Sequence, residues 1–263
     1  MEYLKKIQEK KARGEKIVML TAYDAITARI LEEAEIDAIL VGDSYGMVKL
    51  GYENTLPVTM EEMLIAVKAV SRGIKKIPVI ADMPFLSFHI SKEDAIKNAG
   101  LFLKESKASA VKVESTESNF DIIEAIIKAE IPVMGHIGIV PQSIYKLGGY
   151  RVQGKTEKEA KRLKYIAKKL EEIGCFAIVL EGIVSEVAKE ITESLNIPTI
   201  GIGAGPFCDG QILVIDDLLG LNPDFIPKHA KKYAELYKII KEAVINFKND
   251  VLNLKFPGKE NYF

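Results

Sequence analysis

Between Lys16 and Ile215, short apolar runs rich in Val and Ile alternate with longer stretches in which apolar residues return every third or fourth position. The first pattern predicts strands and the second amphipathic helices. Eight strands are expected, at IVMLTAYD (17–24), AILVGDS (38–44), IPVIADMP (77–84), AVKVE (110–114), IPVMGHIG (131–138), FAIVLEG (176–182), IPTIGIGAG (197–205) and QILVI (211–215). Helical periodicity occupies 25–35, 60–72, 92–107, 119–130, 184–195 and 227–247, and also the segment after Thr156, where Ala160, Leu163, Ile166, Ala167, Leu170 and Ile173 share one face. Thr156 with Glu159 three residues on forms a capping box, and Gly174 can end that helix. Apolar strands separated by helices predict a parallel sheet, and eight such units in this length predict an α/β fold of the closed (β/α)8 TIM barrel type. An open doubly wound sheet is the alternative. The reading is a single domain over 1–263, with a charged N-terminal helix before the barrel and a helical C-terminal extension after it.

Composition narrows the function without naming it. With 48% hydrophobic residues the chain has ample material for a core. Its 36 Lys and Arg against 37 Asp and Glu argue against a nucleic-acid binder that relies on a broad basic excess. Cys175 and Cys208 lie in neither a CxxC nor a metal-ligand spacing. The N-terminus has no apolar core of a signal peptide, and no run of 18 apolar residues predicts a membrane span, so a cytoplasmic chain is expected.

The chemistry is expected at the barrel rim, because all parallel strands end on one face. The last strand positions supply Asp43 and Ser44, Asp82, Lys112 and Glu114, His136, and Glu181. Any one of these acids could cap a helix or pair with a lysine. Together they are harder to explain: Lys112 and Glu114, two apart, share a face of an apolar strand, which is costly unless the charges are paired or bind an ion. Oxygen donors without a Cys or His cluster suit a hard cation such as Mg²⁺, with Asp43 and Asp82 as direct ligands and Glu114 binding directly or through water. Lys112 is free to hold a substrate oxygen or to pair with Glu114 or Asp82. Glu181, at the end of a very apolar strand, suits a general base, since apolar walls make a carboxylate more basic. His136 reads as a supporting residue and His229 as a surface one. GIGAG (201–205) could hold phosphate, but neither GxGxxG nor GxxxxGK[ST] occurs.

Longer blocks carry a resemblance. MLTAYDAITARI (19–30), ILVGDSYGMVKLGYENTLPVTMEEM (39–63), ADMPF (81–85), VKVE (111–114), IPVMGHIGIVPQSIYKLGGYRVQGKT (131–156) and IPTIGIGAGPFCDGQILVIDDLLGL (197–221) resemble the ketopantoate hydroxymethyltransferase family. The resemblance implies a Mg²⁺-dependent barrel that moves a one-carbon unit from 5,10-methylenetetrahydrofolate to 3-methyl-2-oxobutanoate. It implies metal binding by Asp43, Asp82 and Glu114, keto-acid contacts by Asp43, Ser44, Asp82 and Lys112, and Glu181 as proton acceptor. It also implies a homo-oligomer, commonly a decamer. Ser115 to Ser118, Leu86, Phe88 and Gly182 with Ile183 depart from the family's usual run. A phosphoenolpyruvate mutase or isocitrate lyase relative would carry a KKCGH-like motif, which is missing, and a catalytically silent barrel would not need this set of charges together.

Overall fold

The computed structural model describes every residue except Met1, Gly148, Tyr150 and Phe225. The chain divides into two compact units, Met1–Val214 and Ile215–Phe263. In the first, helix α1 (Glu2–Ala12) precedes strand β1 (Ile17–Thr21), α2 (Ala25–Glu33), β2 (Ala38–Val41), the short α3 (Tyr45–Val48) and α4 (Met60–Gly73). There follow β3 (Val79–Asp82), α5 (Lys92–Ser106), β4 (Ala110–Glu114), α6 (Phe120–Lys128) and β5 (Val133–Gly138). A 3₁₀ turn (Pro141–Ser143), α7 (Ile144–Leu147), α8 (Glu157–Glu172), β6 (Ala177–Glu181), α9 (Ser185–Ser194), β7 (Thr199–Ile202) and β8 (Gly210–Leu213) complete it. The strands pair in sequence order, and β8 closes on β1 in parallel. The expected closed barrel is therefore observed.

The ladder is shorter than the apolar runs, for a reason the prolines make visible. Pro78, Pro132 and Pro198 precede β3, β5 and β7; lacking an N–H they cannot donate to the ladder, but their carbonyls accept from Ile39, Val111 and Ile178 at 3.0, 3.0 and 2.9 Å. Three strands thus begin just after a proline, and the polar ends of the runs pass into the rim. The helix before β6 is capped as expected, with Thr156 accepting from Glu159 N and Glu159 reaching back to the Thr156 backbone. Gly174 follows it at φ +102.

Inside the barrel the apolar layer lies low. Ile17 and Met19, Leu40, Ile80, Ala110, Met134, Val179, Ile200 and Ile212 form one cluster with Leu4 and Ile7 of α1. Helix α1 is fastened there by Lys11, whose Nζ donates to Asp209 Oδ2 at 2.8 Å and to Thr192 O at 3.0 Å.

The second unit contains α10 (Ile215–Leu219), α11 (Leu236–Leu252) and a 3₁₀ turn at Lys259–Asn261. The periodicity read across 227–247 starts to form helix only at Leu236. Tyr233 N donates to Leu218 O at 2.8 Å instead of to a carbonyl one turn back, so the preceding residues follow α10 and leave His229 exposed in a turn. Among the described residues, no helix is long and apolar enough to cross a membrane.

Candidate active site

Alternation along the strands builds the site directly on the apolar layer. Two residues beyond Ile80, Ala110, Met134 and Val179 on the same strand faces come Asp82, Lys112, His136 and Glu181, and Glu114 follows Lys112. Register sets Asp82 opposite Lys112 and Glu114 opposite His136. Asp43 and Ser44 sit in the turn after β2. Here Asp43 N donates to Asp82 Oδ2 at 3.1 Å. The residues expected from five consecutive strand ends are thus brought to one rim.

A continuous polar line runs across it. Lys112 Nζ is 2.9 Å from Asp82 Oδ1 and 3.2 Å from His136 Nδ1. An ammonium has no acceptor, so His136 Nδ1 accepts and the neutral ring carries its proton on Nε2. Nε2 lies 3.1 Å from Glu181 Oε2, without the alignment of a hydrogen bond. Burial and the Lys112 charge push the His136 pKa below its ordinary value, against the pull of Glu181. Burial alone would lower the pKa of Lys112, but Asp82, Asp43 and Glu114 raise it overall.

The same buried charges act on the acids. Burial and then Asp82 raise Asp43 to about 7, while Lys112, Gln142 and Thr55 favour its ionised form. Burial, Asp43 and Asp82 also push Glu114 well above the usual carboxylate range, despite Lys112 and a backbone N–H. Three buried carboxylates face one ammonium, an excess of two negative charges if all are ionised. Among the described residues, no three His, Cys, Asp or Glu groups form a ready-made cation cage; the acids are turned toward Lys112 and Gln142. Hard oxygen donors and an excess of two charges nevertheless suit a cation that takes one or two carboxylates and keeps its waters.

Glu181 differs from its expected setting. Its side chain is 22% exposed, not sealed among apolar walls. Its backbone is tightly held instead: a Cβ on Gly138, at φ +103, would lie 2.1 Å from Glu181 O, and one on Gly182 would lie 2.3 Å from Ile139 Cδ1. Ile139 N donates to Glu181 O at 2.8 Å. These two glycines let β5 and β6 meet closely at Glu181.

Other contacts carry no periodic signal and escape a strand-end reading. Gln142, in the turn after β5, donates from Nε2 to Asp43 Oδ2 and Met83 O, both at 2.9 Å, and its backbone N–H faces both oxygens of Glu114. Its sole clue is position, just past a strand end and inside one of the resembling blocks. The Ser44 hydroxyl lies 2.8 Å from the Tyr23 hydroxyl and makes no helix-capping bond. The unusual Ser115 accepts from His136 N at 3.3 Å, while Asn119 donates to Glu114 O at 2.8 Å. Phe88 is buried against His89, ring centroids 4.0 Å apart. A cavity of about 410 Å³ adjoins this centre, walled by Phe85, His89, Glu114, Asn119, Gln142 and Tyr145. Gly201 and Gly205 of GIGAG meet their own chain: a Cβ on Gly205 would lie 2.1 Å from Ser185 Oγ and one on Gly201 3.0 Å from Cys208 Sγ.

Comparison with known proteins shows what the whole chain is similar to. The family model described as ketopantoate hydroxymethyltransferase matches residues 2–259. The 3-methyl-2-oxobutanoate hydroxymethyltransferase of Thermotoga neapolitana is 58% identical over all of this chain and 96% of its own. The protein of that name from Sulfurisphaera tokodaii is 55% identical over 97% of this chain and 94% of its own. Among solved structures, phosphonopyruvate hydrolase in complex with oxalate and Mg²⁺ aligns at TM-score 0.66 with 13% identity, over 98% of this chain and 93% of that one. A 2,3-dimethylmalate lyase of the PEP mutase/isocitrate lyase superfamily aligns at 0.59 with 17% identity, over 99% and 90%. These two likenesses show a shared fold. Full-length identity above one half goes further: the chain belongs to the ketopantoate hydroxymethyltransferase family of enzymes.

Proposed function

We propose that this enzyme transfers a hydroxymethyl group from 5,10-methylenetetrahydrofolate to 3-methyl-2-oxobutanoate in the cytoplasm, forming 2-dehydropantoate on the route to pantothenate and coenzyme A. The observation that carries the reading is the line Asp82–Lys112–His136–Glu181 beside buried Asp43 and Glu114. It sets a base at one end and a charged oxygen-binding centre at the other.

Asp43, Asp82 and Glu114 would hold one Mg²⁺ per subunit; when bound, it supplies Lewis-acid stabilisation of negative charge developing on the keto acid. Asp43, Ser44, Asp82 and Lys112 contact that substrate. Glu181 removes the C3 proton, and the electron pair left on C3 bonds to the folate's methylene carbon as one of its two C–N bonds breaks, that nitrogen taking the proton back from Glu181. Water replaces the second C–N bond, giving its hydroxyl to the carbon and its proton to the nitrogen, and tetrahydrofolate leaves. His136, neutral with Nε2–H 3.1 Å from Glu181 Oε2, lies beside the base and joins it to Lys112. The cavity beside Glu114 supports the reading, since the second substrate must reach C3.

Exchange of the C3 proton into deuterated water tests the base without the folate. Glu181→Gln should slow Mg²⁺-dependent exchange by roughly 10²–10⁴-fold. Full exchange in that variant would remove Glu181 from the role. With both substrates present, the wild-type chain should form 2-dehydropantoate.

Self-association, as a homodecamer, completes the proposal. It is supported by α11, whose Ile240, Val244, Phe247 and Val251 form an exposed apolar stripe at helical spacing.

A further inference from the structure

Gln142 has one unusual feature: it is 5% exposed, yet its carboxamide is only half satisfied. Nε2 donates to Asp43 Oδ2 and to Met83 O, while Oε1 is buried without a hydrogen-bond partner. Two acceptors fix this orientation. Flipping the amide would turn Oε1 toward a carboxylate and a carbonyl, and neither can donate when Asp43 is ionised. The backbone N–H of the same residue lies 3.2 and 3.1 Å from the two oxygens of Glu114. One residue from the β5 turn therefore grips an acid beyond β2 and an acid on β4.

A buried amide that leaves its acceptor empty is a poor choice for stability alone. What it provides is donors to two like-charged acids that mutual repulsion would otherwise drive apart. It does so without adding charge, so the excess negative charge is left for a cation. We propose that Gln142 is a positioning residue for the cation site, holding Asp43 and Glu114 at their working separation. This inference rests on the reading of those acids as ligands of a divalent cation.

The test is direct binding of Mn²⁺ to the full-length, metal-free protein, followed by the electron paramagnetic resonance of free and bound ion. Gln142→Met keeps the bulk and removes the side-chain donor; Gln142→Ala removes both and serves if Met disturbs folding. Each retains the backbone N–H at Glu114, so the measured loss belongs to the Asp43 arm. Binding should weaken by about 10–100-fold, the range found when the partner of a metal ligand is removed. The bound-ion spectrum should broaden or shift, and proton exchange should recover substantially at saturating Mn²⁺. Wild-type affinity and spectrum in either folded variant would overturn the role of Gln142 while leaving the cation reading intact. A wild-type protein that binds no Mn²⁺ or Mg²⁺ would overturn both.

Discussion

Asp43 shows how much of this site is decided by neighbours at single-residue range. Its folded pKa of about 7 stands above the ordinary value near 3.9, because burial and Asp82 oppose its charge. A folded pKa above the unfolded one means that the folded, metal-free chain binds the proton more tightly. That contribution is present below about pH 4 and is lost as the pH rises toward 7. On the proposed reading a divalent cation would bind the ionised acid and compensate. The rise in Tm caused by Mg²⁺ should therefore be larger at pH 8 than at pH 5.5, measured by thermal unfolding; an equal or reversed difference would contradict it. The identities of Asp43, Asp82, Lys112, Glu114, His136 and Glu181 as rim residues were legible in the sequence because each ends an apolar run. Gln142 and Tyr23 were not, since their roles come from contacts across 99 and 21 positions of chain, which no local pattern records.

At the scale of elements, the strand junctions matter more to chemistry than the helix ends. Gly138→Ala sets a Cβ against the Glu181 carbonyl at a φ that side chains avoid, so β5 and β6 must part at Glu181. It should lower kcat and destabilise the fold by at least about 1 kcal/mol. Thr156→Ala, which removes the α8 capping box, should cost about 1 kcal/mol of stability and leave kcat unchanged. Urea unfolding with turnover on the same samples separates the two; equal effects on kcat would refute the distinction. Helix α8 was predictable to within a residue or so because its cap and its period agree. The onset of α11 was misread because Tyr233 finds a non-local acceptor, which propensity cannot foresee.

For the whole molecule, assembly is the open consequence of the apolar stripe on α11. If copies of this chain cover it, Ile240→Glu with Val244→Glu should reduce the mass in solution below that of a decamer while the far-ultraviolet dichroism keeps its barrel signature. Light scattering coupled to size separation checks this, and an unchanged decamer would exclude the stripe as the contact. The pattern along the chain predicted the barrel, with an open doubly wound sheet as the alternative: eight apolar strands, three of them introduced by proline, with amphipathic helices between, have few other ways to bury both sheet faces. It also determined which charged residues reach the rim, because side chains alternate along a strand and all eight strands end together. How those residues pair lies beyond any local pattern. Closure and register set Lys112 between Asp82 and His136, left Glu181 partly open, and brought Gln142 onto Asp43. Pairing depends on distances of a few ångströms between segments far apart in the chain, and such distances exist only once the barrel has closed.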